Sequence, residues 1–354
     1  MFFASDNGAS VAPEILAAID RSSRVRAPAY GTDDFTKRAE AALSEVFERE
    51  VFSFLVATGT GANALSLAAL TRPWEAVLCH NEAHVMDDEC GAPEFFSGAK
   101  LVGVAGGGNR LTPAALAETL KTMRIGVVHG AQPAAISISQ ATEAGLVYGP
   151  SEIAAIAALA KDFKLRLHMD GARFANAVIA TGASPADLSW RAGVDVLSFG
   201  ATKNGALACE AVVFFDRALA EDFGYRRKRG GHLLSKGRFL GAQMEAYLDG
   251  GLWLKLAQRA NAAARRLARA IAETPGLRLA FPMEANEVFV IGPRARFDAA
   301  RQGGAKFHLT TTRAIDAANA PRAGETMARL VCSWDTTDGE IDGVVGLLRG
   351  ESGA

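Results

Sequence analysis

The sequence has few cysteines and no long apolar run, and each scarcity excludes a class of protein. Four cysteines are scattered over 354 residues, and no two have the spacing of zinc ligands, so no metal site is expected. No uninterrupted apolar run reaches the roughly 18 residues that suggest a membrane span. The opening letters MFFASDNG turn polar too early for a signal peptide. A reduced, cytoplasmic protein is therefore predicted.

The net charge of the chain is also close to zero. Thirty-eight basic and 39 acidic residues give a formal charge of −1, so no general attraction to nucleic acid or to a membrane is expected. The basic run at residues 226–229 (RRKR) lacks interleaved aromatic residues, and we interpret it as a solvated or inter-subunit helix end.

The length of the chain and its 49% hydrophobic content indicate a globular protein of two domains.

A single lysine follows an apolar stretch in residues 194–205 (VDVLSFGATKNG). The apolar residues predict a buried strand, and Lys203 comes just beyond its carboxyl end, between small residues. Ligand crevices of open α/β sheets lie at such strand ends, where a primary amine can bond to a carbonyl group. A surface lysine in a turn is the alternative interpretation.

A glycine-rich turn, residues 58–63 (TGTGAN), connects a predicted strand at residues 51–58 to a strongly helical run. Such a turn at a helix N-terminus presents unpaired N–H groups to an anion, and the hydroxyl of Thr60 adds a donor. The turn therefore predicts a phosphate site at Gly59 and Thr60, with an ordinary capped loop as the alternative.

Asp170 ends the predicted strand LRLHMD, one strand–helix–strand unit before Lys203. The intervening residues accommodate a helix, which we place at residues 185–192, and one further strand. Parallel strands joined by a right-handed crossover end at the same edge of a sheet, so Asp170 and Lys203 are predicted to lie side by side. His84, beyond another predicted strand, could stack on a flat cofactor, exchange a proton, or only hydrogen-bond within the fold.

Together these residues meet the requirements of pyridoxal 5'-phosphate (PLP). Its phosphate needs a helix N-terminus, its aldehyde needs a lysine, and its ring nitrogen needs a carboxylate that keeps it protonated. The turn at residues 58–63, Lys203 and Asp170 supply these groups. PLP is the predicted cofactor, and a non-catalytic phospholigand-binding module is the alternative from another class.

The motifs MDGAR, FGATKNG, TGTGAN, NEAHVMDDECGAPEFF and ASDN resemble those of the low-specificity L-threonine aldolases, which are fold-type I PLP enzymes. The resemblance extends from Phe3 to about Trp334. It implies an α/β fold like that of aspartate aminotransferase, with a large domain on a mainly parallel sheet and a smaller C-terminal α+β domain. It also implies retro-aldol cleavage of L-threonine or L-allo-threonine to glycine and an aldehyde, by a homodimer or homotetramer.

The resemblance implies a role for each cofactor-binding residue. Lys203 matches the lysine that bonds to PLP, Asp170 matches the partner of the ring nitrogen, and His84 matches the histidine that stacks on the ring. Gly59 and Thr60 match the phosphate turn.

The resemblance also implies a substrate site. Arg173 matches the arginine near the 3-hydroxyl of PLP and the substrate carboxylate, and Ser5 and Arg329 match the pair that holds this carboxylate. Holding it can turn the Cα–Cβ bond perpendicular to the ring. His84 is the predicted acceptor of the β-hydroxyl proton, directly or through a water. Some relatives carry a histidine in the segment that matches residues 140–143 (QATE), where this chain has none.

Changes in composition divide the chain into four segments. We predict an N-terminal arm (residues 1–34), a large PLP-binding domain (35–236), connecting helices (237–274) and a small C-terminal α+β domain (275–354). Another PLP-dependent lyase, which eliminates at Cβ or cleaves bulkier β-hydroxy amino acids, is the alternative within enzymes.

Overall fold

The computed structural model describes residues 1–351 and builds them around two β-sheets. Strand bounds follow the buried, β-branched segments of the chain. The strands are β1 (Phe52–Val56), β2 (Glu75–His80), β3 (Lys100–Val104), β4 (Gln132–Ser139), β5 (Arg166–Gly171), β6 (Val196–Gly200), β7 (Glu210–Phe214), β8 (Arg278–Leu279), β9 (Glu287–Pro293), β10 (His308–Thr310) and β11 (Glu325–Val331).

The helices cover the sheets and connect their strands. Among the described residues, no helix combines the length and the apolar character that crossing a membrane requires. The helices are α1 (Pro13–Ser23), α2 (Asp34–Val46), α3 (Gly59–Leu70), α4 (His84–Asp87), α5 (Ala92–Ser97), α6 (Pro113–Thr122), α7 (Pro150–Asp162), α8 (Phe174–Thr181), α9 (Arg217–Ala220), α10 (Phe223–Arg229), α11 (Arg238–Leu248), α12 (Leu252–Ala272), α13 (Arg294–Gln302) and α14 (Asp338–Arg349).

The large sheet has seven strands in the order β1-β7-β6-β5-β4-β2-β3. Its strands are parallel except for β7, which runs antiparallel to both of its neighbours. Strands β5 and β6 are adjacent and parallel, and Asp170 is in register with Ser198. Since Lys203 follows β6 directly, the carboxyl ends of these two strands bring Asp170 and Lys203 to one edge of the sheet.

Two elements predicted from the sequence were wrong. The helix between Asp170 and Lys203 is α8, whereas residues 185–192 form turns that end in a short 3-10 helix. The reason is packing, because α8 buries Phe174 and its neighbours in the core directly after the strand. Residues 125–130 (IGVVHG), whose β-branched side chains predict a short strand, form turns in which Gly126 has a φ of +79° and Val128 is 94% exposed.

The small sheet is antiparallel, with the order β10-β11-β9-β8, and α12 packs an apolar face against it. The N-terminal segment joins this sheet through its backbone. Phe3 donates its N–H to the carbonyl of Lys306, and its own carbonyl accepts from the N–H of Val331. Since Phe3 is fully buried, this segment is fixed, and it carries Ser5 and Asp6 toward the edge of the large sheet.

Candidate active site

A cavity of about 730 Å³ lies between the carboxyl ends of β4, β5 and β6, the N-terminus of α3 and the small sheet. Phe281, Phe289 and residues 310–312 contribute its wall on the side of the small sheet. The structure brings every residue with a predicted role to this one cavity. They are Ser5, Gly59, Thr60, His84, Asp170, Arg173, Lys203 and Arg329.

The glycine-rich turn begins α3 and is open toward the cavity. Thr58 is the N-cap, and its hydroxyl oxygen accepts from the N–H of Gly61 at 3.0 Å. The N–H groups of Gly59 and Thr60 belong to the first turn and have no partners within the helix. A Cβ atom at Gly59 would meet nothing within 4 Å, whereas one at Gly61 would collide with the ring of His232. The turn therefore has space and donors for a phosphate.

Asp170 is buried at the end of β5 and accepts two hydrogen bonds. Its Oδ1 accepts from the Ala172 N–H at 3.0 Å, and its Oδ2 accepts from Asn63 Nδ2 at 2.8 Å. Burial alone would raise the pKa of Asp170, but the positive charges of His84 and Lys203 hold it below its ordinary value. An ionised, buried carboxylate in this position suits a protonated ring nitrogen.

His84 is held by a buried carboxylate. Its Nδ1 lies 2.8 Å from Glu89 Oε1, so Nδ1 carries the proton and Nε2 is left to exchange one. The bond to Glu89 and the charge of Asp170 raise the pKa of His84 although burial opposes them. Asn63 Nδ2 also donates to Glu89 at 2.8 Å and thereby connects the two carboxylates.

His84, Glu89 and Asp170 place potential metal ligand atoms within 4.8 Å of one another. The amide of Asn63, however, directs its N–H donors at both carboxylates. A cation among these ligand atoms would face the N–H groups of Asn63, which carry partial positive charge. We therefore assign no metal to these residues.

Lys203 lies in a short 3-10 helix after β6 and next to another buried carboxyl group. Glu210, on β7, accepts from the Ala201 N–H at 2.7 Å. Burial raises the pKa of Glu210 to about 7. Gly200 is required here because a Cβ atom would lie 2.5 to 2.8 Å from the backbone of Ala172. The close approach of the two strand ends therefore fixes the lysine beside Asp170.

Two arginines and two carboxylates form the side of the cavity next to the N-terminal segment. Arg173 makes a two-pronged ion pair with Asp6, at 2.7 and 3.0 Å, and its Nη1 lies 3.2 Å from Glu287. Arg329 is less engaged, since its Nη2 donates to the Ala4 carbonyl at 3.4 Å and its buried Nε has no partner among the described residues. Arg329 is thus the arginine with a donor to spare for an anion.

Sequence reasoning missed several of the buried polar partners. Asp6, Asn63 and Glu89 lie inside the quoted motifs, but only a three-dimensional contact shows what each one holds. Glu143 ends the QATE segment, in which only the missing histidine was noted from the sequence, and Glu287 comes from the small sheet without a local signal.

Comparisons with known proteins show what this chain is similar to. The family described as β-eliminating lyase matches residues 3–292. The low-specificity L-threonine aldolase of Pseudomonas sp. (strain NCIMB 10558) is 43% identical over 340 residues, which cover 96% of this chain and 94% of that protein. The one from Pseudomonas aeruginosa is 46% identical over 336 residues, covering 94% and 93%. A solved threonine aldolase of Leishmania major superposes with a TM-score of 0.90 at 28% identity, covering 99% and 98%.

Proposed function

This chain belongs to the β-eliminating lyase family, among its low-specificity L-threonine aldolases, and we propose how its cavity performs their reaction. It is a PLP-dependent aldehyde-lyase of the fold-type I class that cleaves L-threonine to glycine and an aldehyde. We propose that it also cleaves L-allo-threonine. The observation that carries the proposal is the meeting of Asp170 and Lys203 in a cavity that ends at the N-terminus of α3.

The residues of the cavity fit PLP, which when bound supplies an aldehyde and a ring that stabilises negative charge at Cα. The N–H groups of Gly59 and Thr60 would bind its phosphate, and Asp170 would accept from its ring nitrogen. Lys203 would hold its aldehyde carbon. The imidazole of His84, fixed by Glu89, would contact the face of its ring.

Orientation of the substrate decides which bond breaks. Arg329 and Ser5 would bind the substrate carboxylate, aided by Arg173. The ion pairs of Arg173 with Asp6 and Glu287 hold its guanidinium rigid in the buried wall. A fixed carboxylate restricts rotation about the bond to Cα, so Cβ can be held where the Cα–Cβ bond is weakest.

Cleavage also requires a base for the β-hydroxyl proton. His84 is the acceptor predicted from the sequence, directly or through a water, and Nε2 is its available atom because Nδ1 is bonded to Glu89. Phe281 and Phe289 give the cavity an apolar wall, which would exclude water from that side of the reacting bond.

The test is product analysis with the PLP-loaded protein. We expect equal amounts of glycine and acetaldehyde from L-threonine. We expect the kcat of Lys203→Ala for this cleavage to be lower than that of the wild type by about three orders of magnitude or more. Borohydride treatment should label Lys203 in the wild type, as measured by peptide mass spectrometry.

Pyruvate and ammonia from L-serine, without glycine from L-threonine, would show a β-eliminating lyase instead. A colourless protein whose absorbance is unchanged by Lys203→Ala would show a phospholigand-binding module. An active Lys203→Ala protein would contradict our assignment of the lysine.

We also propose that the chain self-associates as a homodimer or homotetramer and that it is located in the cytoplasm. Self-association is supported by a surface groove lined by Phe95 and Tyr225, which are 82% and 79% exposed, together with Arg226 and Arg229. All four cysteines are free, as expected in a reducing compartment. Light scattering during gel filtration would give the mass, and a mass of one chain would contradict the proposal.

A further inference from the structure

Glu143 is a carboxylate of the cavity to which the reaction described so far gives no role. It follows β4 and lines the same cavity as Lys203 and His84. Its Oε1 accepts two hydrogen bonds, from the Ser139 hydroxyl at 2.7 Å and from the His84 backbone N–H at 2.8 Å. These two donors fix the orientation of the carboxyl group.

The second oxygen of Glu143 is buried and has no hydrogen-bond partner among the residues that the structure describes. Leaving a buried polar atom unpaired destabilises the folded protein, and more so if the atom is charged. Such an atom in a ligand cavity indicates that a ligand supplies the missing partner. The substrate carboxylate would be repelled, whereas a hydroxyl group can donate to an ionised carboxyl and accept from a protonated one.

We propose that Glu143 binds the β-hydroxyl group of the substrate through Oε2 and takes its proton during cleavage, while His84 keeps its place against the cofactor ring. This inference rests on the proposed function and assigns its proton acceptor to Glu143, in place of the His84 that the sequence predicted. A carboxyl group oriented by two donors before the substrate binds is suited to this transfer.

The proposed step balances in protons and electrons. The O–H bond of the substrate breaks as its proton moves to Oε2, and the electron pair of that bond completes the carbonyl of the aldehyde. The Cα–Cβ bond breaks, and its electron pair stays with Cα until Cα takes a proton from solvent. Glu143 returns its proton to solvent when the aldehyde leaves, so glycine and aldehyde form with no net change in protons.

The acidity of Glu143 is suited to this exchange. Burial raises the pKa of Glu143 to about 7, although its Ser139 and His84 hydrogen bonds oppose the shift. The other titratable groups around it are His84, Asp170, Cys79 and Tyr148. Burial raises the pKa values of Cys79 and Tyr148, so both stay neutral, and Asp170 stays ionised. A base with a pKa near the working pH transfers protons efficiently.

The decisive variant is Glu143→Gln in the PLP-loaded protein. We expect the kcat for L-threonine cleavage to fall about 100-fold or more, in the range of a lost general base. The rise of wild-type kcat between about pH 6 and 8 should disappear in the variant. The absorbance of bound PLP and the Kd for glycine from spectral titration should stay within about threefold, because glycine has no β-hydroxyl group.

Glu82→Gln is the matched control, because Glu82 lines the same cavity but both of its oxygens are bonded, to Thr312 and Arg313. It should keep the rise of kcat with pH. Ser139→Ala removes a bond to the ionised carboxyl of Glu143, so it should move this rise to higher pH.

A Glu143→Gln protein that keeps the pH dependence and more than a tenth of kcat would overturn the inference. If Glu143→Gln fails to bind PLP, Ser139→Ala decides, since an unmoved pH profile would overturn the inference and a shifted one would support it. Wild-type protein that yields no glycine from L-threonine would refute the proposed function itself, which is a distinct result.

Discussion

At the scale of single residues, the site is defined by buried polar groups that share partners. The amide of Asn63 donates to both Glu89 and Asp170. One side chain therefore holds Glu89, which fixes His84, and Asp170, which is the proposed partner of the ring nitrogen. Close to them, His168 on β5 is fully buried between the hydroxyl groups of Ser137 and Ser198, at 2.9 and 3.0 Å. A buried imidazole without a carboxylate partner should affect how stability depends on pH.

His168 should make the protein less stable as the pH falls. Burial lowers the pKa of His168 to about 4 from an ordinary 6.5, so the unfolded chain binds the proton first. Its contribution to stability is complete above pH 6.5 and is lost as the pH falls toward 4. The full loss, reached below pH 4, amounts to about 3.5 kcal/mol at about 1.4 kcal/mol per pKa unit, and about 2 kcal/mol of it should appear by pH 5. Urea unfolding of wild type and His168→Gln at pH 7.5, 6 and 5 measures it.

The His168→Gln protein is expected to be less stable than wild type at pH 7.5, because a less suitable amide replaces the imidazole between two hydroxyl groups. Its free energy of unfolding should nevertheless fall less between pH 7.5 and 5. Parallel pH curves for the two proteins would refute the role of His168.

At the scale of elements, the N-terminus of α3 has both a structural and a binding role. Thr58 caps the helix, and the same first turn is the proposed phosphate site. Helix α6 begins with a cap of the same type, since the Thr112 hydroxyl accepts from the Ala115 N–H at 3.2 Å, but this helix does not line the cavity. The two caps therefore allow stability to be separated from cofactor binding.

Thr58→Ala should reduce stability by about 1 kcal/mol and also weaken the binding of PLP, because the first turn of α3 loses its fixed geometry. Thr112→Ala should cost a similar amount of stability and leave the Kd for PLP unchanged. Thermal unfolding of the PLP-free proteins and fluorescence titration with PLP measure the two effects. Equal affinities of both variants for PLP would argue against a phosphate site at this turn.

At the scale of the whole molecule, the cavity depends on three parts of the chain that meet at Asp6. The N-terminal segment supplies Asp6, the turn between β5 and α8 supplies Arg173, and Asn286 before β9 donates to Asp6 Oδ2 at 3.0 Å. The charges of Arg173 and Lys203 lower the pKa of Asp6 despite its burial, so it stays ionised at neutral pH. Asp6 therefore connects the N-terminal segment to both sheets.

Asp6→Ala should lower the free energy of unfolding by roughly 3 kcal/mol, since it removes one partner of a buried ion pair. It should also raise the KM for L-threonine, because Arg173 is no longer held in place beside the substrate site. Asp20→Ala breaks an exposed pair with Arg24 and should lower the free energy of unfolding far less than Asp6→Ala does. Similar unfolding curves for the two variants would contradict the structural role of Asp6.

The sequence by itself determined the family, the α/β fold class, PLP and the cleavage of threonine, and these predictions are confirmed. It could do so because Asp170, Lys203 and the turn at residues 58–63 each follow a strand, and the order of parallel strands brings strand ends together. The domain bounds and the roles of the site residues remain predictions. The helix before Lys203 was predicted at residues 185–192, which leaves a loop after β5. The observed helix α8 instead begins directly after β5, because its small apolar residues pack into the core there.

Only the tertiary structure decided what holds these groups. Asp6 and Arg173 are 167 residues apart, and Glu143 meets His84 across 59 residues, so no local pattern records either contact. Burial then sets the chemistry, because the same carboxyl group is an ordinary acid in water and a base near neutral pH when enclosed. Local spacing can place a side chain at a strand end, but its partners and its acidity depend on what the rest of the chain packs around it.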